Sequence, residues 1–236
     1  MAIQTVNFVK GTIDGVVFYE MSGGHFARSA PKKMTQSEAT KKRSKNFGIA
    51  SPAAAAIRRL LSPVLPFPKD QAMQRSFNGA LINWLKQKNA EELSPGINLP
   101  FITGFSFNKK TAIGDRWKIN ITCNQVSADE VQIHIPAFNP AISIAAPASA
   151  STVECTFVAA CCHLIDKNAA SAREVSVAFP YHDSMVSHRL LSLPLTTLPG
   201  CLVVVAASMK FKSGLGIPDY RPEYLPSSVI GAWYTG

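Results

Sequence analysis

The sequence predicts an α+β protein. A basic N-terminal region of β-ribbon, arm and two helices leads into an antiparallel β-sandwich of immunoglobulin-like or fibronectin-like kind. Three observations carry that expectation. Apolar residues keep helical spacing around residues 71–93 and switch to every second position beyond 102. Charge divides the chain the same way: residues 1–110 hold 16 Lys and Arg against 6 Asp and Glu, and residues 111–236 hold 8 against 9. Proline and glycine steps at Ser62-Pro63 and Ser94-Pro95-Gly96 punctuate the change.

Taken in order, residues 5–28 read as a two- or three-stranded ribbon. Thr12-Ile13-Asp14-Gly15 and Ser22-Gly23-Gly24 are turn-forming, and Val16-Val17-Phe18-Tyr19 between them is rich in β-formers. A ribbon this small needs something to pack against. Residues 29–46 follow as a basic stretch in which Glu38 is the only acid and no apolar period is visible. They read as an extended arm. Ordering such an arm costs about 1–2 kcal/mol per residue, so the arm is expected to lie on a partner.

Ser51-Pro52 has the form of an N-cap with proline at the first helical position, which predicts a helix over Ala53 to Leu61. Asp70 is placed to cap a second helix from Gln71 to about Leu93. Its Met73, Phe77, Leu81, Trp84 and Leu85 form one buried stripe. Gly79 inside it marks either a close helix contact or a tolerated interruption.

Strict alternation in Trp117–Cys123, Val131–Ile135 and Val175–Phe179 predicts half-buried strands, and the more uniformly apolar Thr152–Leu164 and Leu202–Phe211 predict central ones. About seven strands at short spacing give the sandwich. Residues 214–236 carry Pro218, Pro222 and Pro226 among aromatics and read as an extended tail. The expected division is therefore 1–96, 97–213 and 214–236.

Signals for enzymatic chemistry are sparse. G-x-S-x-G, H-E-x-x-H, P-loop and G-x-G-x-x-G patterns do not occur. Cys161-Cys162-His163 places a thiol beside an imidazole, but neighbours on a strand face opposite ways and no acid stands at the spacing that would orient the ring. Cys123, Cys155, Cys161, Cys162 and Cys201 are odd in number, lack a C-x-x-C pair and lie in apolar stretches, as buried free thiols do. Tyr181, His182, Asp183 and His188 form a solvated loop whose spacing matches no metal site; His25 and His134 are isolated. No catalytic residue, cofactor site or metal site is expected.

The residues singled out are partner-binding ones. In the arm and first helix these are Arg28, Lys32, Lys33, Lys41, Lys42, Arg43, Lys45, Arg58 and Arg59. In the tail they are Tyr220, Tyr224, Trp233 and Tyr234. Only Phe26 and Phe47 flank the basic run as base-stacking aromatics.

The first ninety residues resemble an uncharacterised domain-of-unknown-function family widespread in Bacteroidota. Lys10-Gly11, Gly15-Val16-Val17-Phe18-Tyr19, Arg28-Ser29-Ala30-Pro31-Lys32, Phe47-Gly48-Ile49-Ala50, Leu61-Ser62-Pro63-Val64 and Asn78-Gly79-Ala80-Leu81 carry the resemblance. It implies a recurrent basic N-terminal module before a β-rich half, and no activity.

Three readings of function follow. The first is a non-enzymatic structural protein that self-assembles through arm and tail into a homo-oligomer or filament. The second is a nucleic-acid-binding protein that uses the arm. The third is a sandwich that binds a carbohydrate or another ligand through Tyr181, His182 and Asp183. With neither a signal-peptide pattern nor an apolar run of spanning length, a cytoplasmic location is expected, and leaderless export stays compatible.

Overall fold

The computed structural model describes residues 3–5, 8–30, 36–67, 70–87, 96–97, 99–166 and 169–236. The chain forms two compact units, residues 1–42 and 43–236.

The first unit is a four-stranded antiparallel meander of β1 (Ile3–Thr5), β2 (Phe8–Ile13), β3 (Val16–Met21) and β4 (Gly24–Ser29). Two two-residue turns join β2 to β3 and β3 to β4. Both have two successive residues at positive φ, Asp14-Gly15 and Ser22-Gly23. Such turns match the right-handed twist of the strands they join. The sheet has no core of its own: from Phe8 to Ser29 no side chain is fully buried. Cross-strand rings do the holding instead, Phe8 stacked on His25 at 4.0 Å and Tyr19 on Phe26 at 5.7 Å, with the Arg28 guanidinium 5.6 Å above Tyr19.

Helix α1 (Glu38–Leu60) corrects two expectations. Residues 38–46 are helical rather than extended, and the helix does not begin at Ser51. Its start is set by Ser37, whose Oγ accepts from the Thr40 backbone N–H at 3.3 Å, with Glu38 in the first turn. Pro52 lies inside it and takes away the bond that the Gly48 carbonyl would have accepted. The prediction was right about the stop: a single 3-10 turn, Ser62–Val64, follows.

Helix α2 (Gln71–Gln87) starts as expected, with Asp70 Oδ1 accepting from Ala72 N (2.8 Å) and Met73 N (3.1 Å). Residues 88–95, where it was expected to end, lie outside the described residues. Replacing Asp70 with alanine is expected to cost about 1 kcal/mol, read from the shift of the urea midpoint at unchanged slope. A side chain at Gly79 would meet nothing within 4 Å, so this glycine is an interruption and not a contact point.

In the second unit, β5 (Gly96–Ile97), a turn helix α3 (Ile113–Arg116), β6 (Thr122–Ser127), β7 (Glu130–Ile135), a second turn helix α4 (Pro140–Ser143), β8 (Ala150–His163), β9 (Ala170–Pro180), β10 (Arg189–Pro194), β11 (Cys201–Ser213) and β12 (Ser227–Tyr234) build two antiparallel sheets. Their orders are β10-β7-β6 and β5-β12-β11-β8-β9. Val131, Ile133 and Ile135 of β7 face Val153, Cys155, Phe157, Val203 and Val205 of β8 and β11 across one core. Trp117 and Phe138 close its end against Phe157 and Phe179.

The opposite face of the larger sheet is covered too. Val158, Ala160 and Cys162 of β8 and Leu202, Val204 and Ala206 of β11 pack on Ala50, Ala53, Ala54 and Ile57 of α1 and on Met73, Phe77, Leu81 and Trp84 of α2. The unit is thus three layers deep, helices over five strands over three. The helices therefore share a core with the strands, and the division expected at residue 96 is not where the compact units part. The small alanines of α1 let its backbone lie close to the sheet. Where the helices end, the same face turns polar: Glu154 pairs with Lys212 at 2.6 Å, and Thr156 with Ser176.

Two further expectations need correction. Trp117–Ile121 keeps its alternating burial but pairs only through the Trp117–Ile144 bridge, and the ladder begins at Thr122. Residues 227–234 are no tail: they form β12, an inner strand between β5 and β11.

Candidate polyanion interface

The cations nominated from sequence fall into separate places. Lys41, Lys42, Arg43 and Lys45 occupy the first two turns of α1, where every residue from Glu38 to Lys45 is exposed. The buried stripe starts only at Asn46 and continues through Ala50, Ala53, Ala54 and Ile57. Four cations thus stand within about 6 Å of helix axis, a density comparable to duplex DNA's one phosphate per about 1.7 Å. Lys41 also reaches Glu38 Oε1 at 2.7 Å, a solvated pair of little weight. Phe47, 56% exposed, lies one turn beyond Arg43 on the same helix side. Arg28 is exposed on β4, and Lys32 and Lys33 lie outside the described residues.

Arg58 and Arg59 stand at the far end of the helix, in a cleft of about 450 Å³ lined also by Ala55, Ser62, Leu65 and Gln74. Sequence reasoning missed the last four, because they meet only through the packing of α2 on α1. Burial pulls the Arg58 guanidinium below its ordinary pKa. Its Nη1 donates to Asn78 Oδ1 at 2.5 Å.

The aromatics of the chain's end divide likewise. Tyr220 is exposed. Tyr224 is half-buried between the guanidinium groups of Arg116 and Arg221, each 4.5 Å from its ring centre. Trp233, 5% exposed, donates from Nε1 to Gln125 Oε1 at 2.7 Å, and Tyr234 leans on Trp84 at 6.0 Å. Trp233 is part of the core.

A cavity of about 500 Å³ opens beside Trp233, between Asn124–Ala128 and Thr197–Pro199. Its wall is a relay: Trp233 to Gln125, Gln125 Nε2 to Thr197 Oγ1 (2.6 Å), and Thr197 Oγ1 to the Ala128 carbonyl (2.9 Å). These polar groups satisfy one another, and the exposed apolar side chains on the rim are Val126 and Leu198.

The thiols are placed as buried residues. Cys161 and Cys162 face opposite cores, and burial pushes both thiols up. His163 Nδ1 accepts from the backbone N–H groups of Ile165 (3.2 Å) and Asp166 (2.8 Å), so the neutral ring carries its proton on Nε2. That nitrogen faces Gly200, where a Cβ would approach it to 2.6 Å. The imidazole shapes the turn after β8. In the Tyr181 loop, Tyr181 donates to the Ile144 carbonyl, Ser184 shares a hydrogen with His182 Nδ1, and Asp183 accepts from Asn139. His188 is exposed, and among the described residues no three metal-ligating side chains converge. Among the described residues no helix is long and apolar enough to cross a membrane.

No family model, no curated protein and no solved structure matches the chain.

Proposed function

We propose that the chain is a non-enzymatic binding protein whose ligand is a polyanion, nucleic acid above all, held by the first two turns of α1. The observation that carries this reading is the exposure of Lys41, Lys42, Arg43 and Lys45 on a folded helix, where their charges are already arrayed. Phe47 adds one ring for stacking. Four phosphate contacts give a slope of log K against log salt of about −3.6 on duplex DNA. Anisotropy titration of a labelled duplex at several salt concentrations measures it. The variant Lys41→Gln, Lys42→Gln, Arg43→Gln, Lys45→Gln is expected to flatten most of that slope. An unchanged slope, or no binding by the full chain at low salt, sinks the reading.

Self-assembly is the second reading, and the meander of residues 3–29 favours it. A sheet with no fully buried side chain from Phe8 onward, and with Ile13, Met21 and Phe26 exposed, gains from a covering surface. Sedimentation velocity over a wide concentration range tests it, and a monomer throughout argues against it. The burial of Trp233 argues against a part for that residue in assembly, whereas Leu215, Ile217 and Tyr220 of the same segment are exposed.

We also infer that β6–β12 form a sandwich of immunoglobulin or fibronectin kind. Lettered A to G in chain order, they give A-B-E in one sheet, and G-F-C with β9 beside C in the other. The reading is supported by the split of A, B and E from C, F and G, which immunoglobulin domains share, although there D joins the A-B-E sheet and here the fourth strand lies beside C. Membership of the Bacteroidota family stays part of the proposal, carried by the N-terminal motifs alone.

A further inference from the structure

We propose that the cleft between the end of α1 and the start of α2 is a binding site for the phosphoryl group of a phosphate ester, with Arg58 and Arg59 as its cationic ligands. It stands apart from the charge run at 41–45, about 20 Å further along the helix axis, and does not depend on what that run binds.

The argument begins with Arg58. Its side chain is half-buried, yet among the described residues no carboxylate pairs with it; its one hydrogen-bond partner is the neutral amide oxygen of Asn78. A half-buried cation without a counter-charge is partly desolvated, and an anion in the cleft would supply the charge it lacks. The bond to Asn78 fixes the guanidinium plane through Nη1 and leaves Nε and Nη2 as donors, the fork that matches a phosphoryl group. Arg59 is exposed beside it and supplies a second fork. Ser62 brings a hydroxyl to the cleft and Gln74 an amide.

Among the described residues no carboxylate lines the cleft. Asp70, just before α2, accepts from the Ala72 and Met73 N–H groups as the helix cap. Among the described residues the lining is thus cationic, with no acid to repel an anion.

The cleft, of about 450 Å³, is larger than one phosphoryl group and leaves room beside it for the organic part of an ester. The rest of the wall is Ala55 and Leu65, an apolar shelf for the organic part of the ligand.

Calorimetric titration of the full chain with glycerol 3-phosphate and with inorganic phosphate, each at ionic strength matched by sodium chloride, tests the proposal. Saturable binding of both is expected, the ester the tighter. Arg59→Gln, on an exposed side chain, is expected to weaken the ester by about tenfold, as loss of one charge-assisted contact does. Arg58→Gln should weaken it at least as much, provided its thermal transition stays cooperative. The quadruple glutamine variant at residues 41–45 should bind the ester as the parent does, which separates this site from the polyanion interface. Absence of saturable binding, full affinity in Arg59→Gln, loss in the quadruple variant, or equal affinity for ester and free phosphate would each overturn it.

Discussion

Replacing Phe77 with alanine is expected to destabilise the second unit by about 3–5 kcal/mol, and to unfold helices and sheets in one transition. Phe77 is wholly buried on α2, with its ring 5.1 Å from that of Phe105 and 5.5 Å from that of Phe107. Its neighbours in the core include Val204 and Ala206 of β11 and Val229 of β12. The cavity left by its loss would thus lie between layers and not inside a helical domain. Urea unfolding followed by dichroism gives the energy, and amide exchange of β8 and β11 gives the coupling. Were those strand amides to keep the parent's protection, the helices would be a separate domain after all, as the sequence suggested.

The second large effect concerns a pair at the edge where the two sheets meet. A Cβ built on Gly231 of β12 would land on Sγ of Cys123 of β6, so β12 and β6 approach only because residue 231 has no side chain. Gly231→Ala is expected to cost about 1–3 kcal/mol or more, as overpacking does. Cys123→Ala in the same chain should return most of it, because the two substitutions share one volume and their effects do not add. Burial pushes the Cys123 thiol up to about 12, so in the parent it should resist alkylation at neutral pH. A double-mutant cycle by urea denaturation measures the coupling. Additive losses would mean that the strand edges separate on their own.

Both effects arise from contacts that the sequence shows only in part. Val131–Ile135 and Val175–Phe179 are legible because one face of each is wet, and alternation survives in the order of residues. The uniform runs in β8 and β11 announce central strands, yet they say nothing of what lies on either side. That the second cover is α1 and α2 follows from how alanines and valines meet, which has no local signature. The first turns of α1 escaped because an amphipathic period exists only where a helix buries one face, and every residue of these turns is exposed. Ser37 followed by Glu38 was the readable sign of their start, and Pro52 drew attention away from it. At the chain's end, three prolines masked Ser227–Tyr234, an apolar eight-residue run that is an ordinary inner strand. Arg58 and Arg59 were legible as charges; the cleft that joins them to Ser62, Leu65 and Gln74 was not.

The burial of one sheet on both faces bears on how the chain is made. The helices α1 and α2 leave the ribosome well before β8 and β11, the strands on which their apolar stripes rest. At about 5–20 residues per second, the interval from the end of α2 to the end of β11 is roughly 6–25 s. Through it Phe77, Leu81 and Trp84 have no platform. The nascent chain is therefore expected to expose that apolar stripe during synthesis, and its yield should respond to translation speed more than its final stability would suggest.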